Sequence, residues 1–175
     1  KTWQTTQANP GSDCSAKIAG DNGPCMDHPW LAIGPDKLNP TGEALYTAYL
    51  ATHSDSDAPT VLTRSVDGGK TWGIPGAPGQ SLNIFSPATD FFFTNLITPT
   101  VDDAGNVHIV ASQVSQDTKG SVFNSIQYTR SEDGGKTRIP PVRVNPTDQA
   151  VPYNQAVIGV DAGNIFVAYT AGENT

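Results

Sequence analysis

Apolar residues in this chain come in short runs separated by Gly-, Asn- and Pro-containing turns, with no stretch of helical period. Leu45–Ala51 (LYTAYLA) and Ile126–Ser131 (IQYTRS) alternate, as strands with two unlike faces do. Apolar runs ending in a tight turn appear at Pro99–Ser112 and Ile158–Thr170, where Gly-Asn punctuates the pattern, and Leu31–Thr52 reads as a longer-looped version. The pattern predicts four strands in a first unit: Pro29–Ile33, Ala44–Thr52, Thr60–Val66 and a short one after Trp72. A second unit repeats them at Leu96–Val101, Asn106–Val114, Ser125–Glu132 and Pro140–Val144. A third offers only Gln155–Val160 and Asn164–Thr170.

The units share a punctuation mark. SVDGGKTW begins at Ser65 and SEDGGKTR at Ser131, 66 residues apart, and the opening KTW (Lys1–Trp3) echoes Lys70–Trp72 at a spacing of 69. Gly-Gly-Lys-Thr suggests a phosphate-binding loop, but that loop needs a further glycine five positions before the Gly-Lys pair. Arg64 and Arg130 stand there instead, so the pattern is excluded in both copies. Four-stranded antiparallel units of this length predict an all-β chain of β-propeller blades. The expected division is 1–24 as the end of a preceding blade and a loop, 25–82 and 83–148 as blades, and 149–175 as the first half of another. About two and a half blades do not close a ring, so the chain is expected to be part of a longer propeller whose remaining blades are its partners.

Composition narrows the partners further. The 175 residues are 15% charged, with 17 Gly and 14 Pro and a net charge of −7. No Lys/Arg cluster exists to displace counterions from phosphates, which argues against nucleic acid and anionic membrane surfaces. The most apolar window, Asp90–Ile97 (DFFFTNLI), is strand-length, far short of the roughly 18 residues that span a bilayer. The two cysteines, Cys14 and Cys25, lie in a loop-like segment without zinc spacing, and a disulfide between them would place the protein in a secreted or cell-surface compartment. Two unrelated thiols are the alternative.

The pattern Ser-x-Asp-x-Gly-x-Thr-Trp resembles the Asp-box, or BNR repeat, of sialidases and sialidase-like propellers. Ser65, Asp67, Gly69, Thr71 and Trp72 match every defined position, and Ser131, Asp133, Gly135 and Thr137 match in the second copy, where Arg138 replaces Trp. The residues suit a corner: Asp can accept hydrogen bonds from the turn's own N–H groups, and Gly supplies positive φ. The resemblance implies that these boxes join third and fourth strands on the face away from the ligand site.

On the opposite face, counting back six residues from the end of each first strand singles out Asp27, Asn95 and Asn154. Such a ring would suit hydrogen bonding to sugar hydroxyls, or would merely cap strand starts and bind water. Trp30 is a sugar-stacking platform or an aromatic packed between blades. His53, Asp55 and Asp57 alternate like a weak calcium loop but lack its Gly and distal Glu, so a solvated acidic loop is preferred and no metal or cofactor is expected. His108 reads as a packed or edge residue within a strand. A sialidase needs three arginines on the substrate carboxylate, a Tyr/Glu pair and an Asp acid/base. None of the predicted first strands carries an Arg, Arg138-Ile-Pro is in the wrong strand, and only Asp27 stands where an acid/base would. The expectation is therefore an extracellular propeller module that binds a glycan or another protein. The alternatives are a silent part of a secreted glycoside hydrolase, or a structural module of a larger surface assembly.

Overall fold

The computed structural model describes residues 25–52, 59–85, 93–116, 122–146, 151 and 155–172. Those residues form three antiparallel sheets and no helix. The first sheet contains β1 (Cys25–Asp36), β2 (Asn39–Thr52), β3 (Thr60–Ser65), β4 (Gly73–Ile74), β5 (Ala77–Pro78) and β6 (Leu82–Phe85). Its spine is β1-β2-β3, and both β4 and β6 pair with β3, so the expected fourth strand is shared between two short pieces. The second sheet is ordered β10-β9-β8-β7, from β7 (Phe93–Val101), β8 (Val107–Gln116), β9 (Val122–Ser131) and β10 (Val142–Arg143). The third pairs β11 (Ala156–Asp161) with β12 (Asn164–Tyr169).

Two expectations are corrected. The long loop anticipated within Leu31–Thr52 is a two-residue turn at Lys37–Leu38, with Asp36 pairing Asn39. The Asp36 carboxylate accepts the Leu38 N–H at 2.9 Å, reversing the chain early. The surplus residues are absorbed as a register shift, since the preceding Pro35 already pairs with Glu43. The strand anticipated over Pro140–Val144 pairs only at Val142 and Arg143, because the two prolines before them have no N–H for the ladder.

Strand alternation decides what each sheet buries. Ala44, Tyr46, Ala48 and Leu50 of β2, with Leu62 of β3, meet Ile97 of β7 and Val107, Ile109 and Ala111 of β8. The other face of the second sheet sends Val110 and Ile126 against Ala156, Ile158, Val167 and Tyr169 of the third. The middle sheet is thus covered on both sides, and β8 is buried at every position from Val107 to Val114. First strands lie side by side, β1 against β7 and β7 against β11. Register fixes the two ends of this stack: Ser65 pairs with Leu45 and Ser131 with Val107, so both Ser-x-Asp turns lie at the end of the β1–β2 and β7–β8 hairpins. The starts of β1 and β7 lie at the other.

Candidate functional site

The two Ser-x-Asp turns have nearly superimposable hydrogen bonding. The Ser65 hydroxyl donates to Asp67 Oδ1 at 2.8 Å and accepts the Gly69 N–H at 2.9 Å. Asp67 Oδ1 also accepts the Lys70 and Thr71 N–H groups at 3.0 and 2.9 Å, and Oδ2 accepts the Thr71 hydroxyl at 2.7 Å. Ser131, Asp133, Gly135, Lys136 and Thr137 repeat the set, from 2.6 to 3.0 Å. The paired glycines take φ of 72° and 86° in the first copy and 73° and 88° in the second, conformations that penalise any side chain. Bonds from the Thr71 backbone, the Thr71 hydroxyl and Ser65 hold the Asp67 carboxyl well below the usual carboxylate range. At Asp133 burial pushes the other way, but the bonds from Thr137, Ser131 and Lys136 outweigh it and the carboxyl is again lowered. These aspartates spend their lone pairs on the turn and have little left for a ligand. Trp72 closes the first corner by donating its indole N–H to the Gly69 carbonyl at 3.0 Å.

Next to the second turn lies a polar cluster that resembles a catalytic relay. His108 Nε2 lies 3.0 Å from Asp102 Oδ2 and His108 Nδ1 2.9 Å from the Tyr128 hydroxyl. With Nε2–H donating to the carboxylate, Nδ1 accepts from the phenol. Asp102 is further engaged by the Ala104 and Asn106 N–H groups and the Asn106 amide. Burial raises the Asp102 carboxyl, but the bonds from His108 and Asn106 prevail and lower it. Burial also pushes the Tyr128 phenol up. His108 is 3% and Tyr128 9% exposed, so both groups are buried between the strands. The cluster braces the hairpin.

The arginines are also committed. Arg64 pairs with Asp36, Arg130 with Glu132, and Arg138 donates Nε–H to the Asn83 carbonyl of the first sheet at 3.1 Å. Arg143 bonds Asn145 Oδ1 and the Pro146 carbonyl. None lies on β1, β7 or β11.

The opposite end is different. Here β1 and β7 each slip register near their starts, between Asp27 and Trp30 and between Asn95 and Ile97. Each slip holds a non-glycine residue at positive φ, His28 at 49° and Leu96 at 45°. For an L-residue this conformation costs about 1–2 kcal/mol. The kinks open a cavity of about 210 Å³ where the first strands converge, lined by His28–Trp30, Leu96–Thr98 and Gln155, which immediately precedes β11. The Thr98 hydroxyl ties β7 to β11 by donating to the Ala156 carbonyl at 2.9 Å. Trp30 is 46% exposed and forms a wall of this cavity, so it is neither a packed core aromatic nor an isolated surface ring.

Of the ligand residues expected from sequence, Asp27 and Asn95 take their places in β1 and β7 immediately before the kinks, with their side chains outside the described set. Asn154, Cys14, the proposed Cys14–Cys25 bridge and the His53–Asp57 loop lie outside the described residues. Sequence counting names the positions that come just before the residues lining this cavity. It misses His28, Leu96 and Gln155, one position further along each first strand; only their place in the repeat, never their chemistry, could have pointed to them. Among the described residues no cluster of His, Cys, Asp and Glu is placed to hold a metal ion, and no helix is long and apolar enough to cross a membrane. Comparison with known proteins finds no family model and no curated protein that matches the chain.

Proposed function

We propose that the chain is part of a sialidase-like β-propeller that works outside the cell as a binding module, recognising a glycan or another protein at the end of its sheets opposite the Ser-x-Asp turns. The observation that carries this reading is the paired kinking of β1 and β7. Two successive first strands take the same strained conformation, 68 residues apart, around one shared cavity. Strain repeated at equivalent places and facing an opening marks a site rather than a packing accident. The proposed architecture is supported by the side-by-side first strands and the two equivalent corner turns. The proposed fragment character is supported by apolar side chains left exposed on the outer sheets: Leu31 and Ile33 on β1, and Val157 and Phe166 on the third sheet.

Binding is favoured over hydrolysis because the arginines are engaged with structural partners and none of them lies on a first strand. Among the described lining residues there is no Arg or Lys to grip a sugar carboxylate. The test is an assay of the full chain against fluorogenic sialosides and neutral glycosides. No turnover is expected. Hydrolysis abolished by Asp27→Asn would overturn the reading in favour of a glycoside hydrolase.

A further inference from the structure

The corner turns carry a chemical liability that their hydrogen bonding holds in check. Asp-Gly occurs twice in the chain, at Asp67-Gly68 and Asp133-Gly134, once in each Ser-x-Asp turn. It is the aspartyl bond most open to rearrangement, because glycine has no side chain to keep its amide nitrogen away from the preceding carboxyl. That nitrogen attacks Cγ of the protonated carboxyl: the N–Cγ bond forms, the Cγ–OH bond breaks, and the hydroxyl leaves as water with the amide proton. Water then opens the resulting succinimide at either carbonyl. Opening at the side-chain carbonyl restores aspartate. Opening at the main-chain carbonyl leaves isoaspartate, which routes the backbone through Cβ and moves the carboxylate away from the N–H groups it serves.

The closed turns resist this step. In each copy both carboxylate oxygens accept turn N–H or hydroxyl groups, so the carboxyl is held as a bonded anion. Rearrangement therefore runs through a turn that has opened, and its rate follows how readily each turn opens. Here the copies differ. Gly68 is exposed, and a Cβ built on it would meet nothing within 4 Å. Gly134 is buried, with Leu38 at 3.2 Å and Pro75 at 3.5 Å from the same point. Asp67 is exposed and Asp133 half-buried. Lifting the second Asp-Gly peptide pulls it off two apolar side chains of the first sheet's turns, and lifting the first meets no such cost. The ties made by Trp72 and Arg138 reach Gly69 and Asn83, outside both Asp-Gly peptides.

We propose that Asp67-Gly68 is a site of spontaneous covalent modification, isoaspartate formation through a succinimide, and that packing against the first sheet shields Asp133-Gly134 from it. Trypsin reads the two sites separately, since cleavage after Arg64, Lys70, Arg130 and Lys136 releases SVDGGK and SEDGGK, which differ in one residue. The experiment incubates the full chain at neutral pH and body temperature and counts isoaspartate in each peptide by electron-transfer fragmentation. Each rate is taken relative to that of the same peptide free in solution. Both sites are expected to be slower in the folded chain than in the free peptides, with Asp67 at least about fivefold faster than Asp133. Leu38→Ala, at an exposed turn position, uncovers Gly134 and should bring Asp133 up toward Asp67 while leaving Asp67 unchanged. Equal relative rates at the two sites, or no isoaspartate at Asp67 once the free peptides have converted, would overturn the proposal. So would a Leu38→Ala chain in which Asp133 stays as slow as before.

Discussion

The first and second sheets solve one problem with two chemistries. Each has an aspartate at the turn joining its first two long strands, Asp36 and Asp102, and an arginine on its third, Arg64 and Arg130, both at a spacing of 66. In the first sheet Tyr46 stands opposite the arginine, and Arg64 turns inward to pair with Asp36, their side chains only 10% and 7% exposed. In the second, His108 takes the place opposite Arg130 and satisfies Asp102 itself, while Arg130 turns outward to Glu132 with exposures of 39% and 53%. The buried turn carboxylate must have a donor; which strand supplies it is free to change. One difference on the second strand, Tyr or His, decides whether the arginine opposite it on the neighbouring strand is structural or superficial.

The sharpest way to break this comparison is to remove the two arginines in turn. Arg64→Met leaves Asp36 buried and without its cation, and a loss of about 3 kcal/mol is expected in urea unfolding. Arg130→Met should cost about 0.5 kcal/mol or less, because a surface pair contributes little. Equal losses would show that the two braces are not alternatives.

His108→Phe comes next. It keeps the ring volume but removes the bonds that His108 makes to Asp102 and to the Tyr128 hydroxyl, for an expected loss of about 1–3 kcal/mol. Adding Tyr128→Phe should cost less than the sum of the single changes, since both act on one network. Additive losses in the double-mutant cycle would refute the coupling.

The Ser-x-Asp turns are where the sheets agree, and Asp67→Ala and Asp133→Ala should lower the melting temperature by similar amounts without changing ligand binding. Both carboxyls titrate lower in the folded chain than in the unfolded one. They therefore stabilise the fold above the ordinary carboxylate pKa of about 4, and that contribution is lost as pH falls through their folded values. Each variant should accordingly show a shallower loss of stability on the acid side than the parent. Unequal melting temperatures would mean that the second turn owes its stability to its neighbour instead: Gly134 sits against Leu38 and Gly135 against Leu62, while Gly68 has open space around it.

The smallest effect belongs to Arg138, where the second turn departs from the first. Its bond to the Asn83 carbonyl links the two sheets, and Arg138→Ala should cost about 0.5–1 kcal/mol by thermal unfolding. No loss at all would make the Trp-to-Arg change in the repeat neutral.

Much of the fold was legible because its signals are local. Alternation at Leu45–Ala51 and Ile126–Ser131 announces strands, and Asp67 and Asp133 sit at the one spacing that lets a carboxylate collect its own turn's N–H groups. The early reversal at Lys37–Leu38 was hidden, because Asn39-Pro40-Thr41-Gly42 reads as the stronger turn while the Asp36 side chain stabilises a nearer one. His108 looks like any strand histidine until Asp102 and Tyr128 are folded onto its two nitrogens.

The sequence by itself determined the β class, the repeat and the corner turns, since each depends on residues within a few positions of one another and on side-chain bonds a single turn can make. The cavity was decided only by the tertiary structure. His28, Leu96 and Gln155 share no chemistry, and they meet because β1 and β7 slip register alike and β11 lies beside β7. A left-handed leucine leaves no mark in sequence, where strand propensity argues against it. It persists because the packed ladders on either side hold it at a cost that local preference alone would refuse.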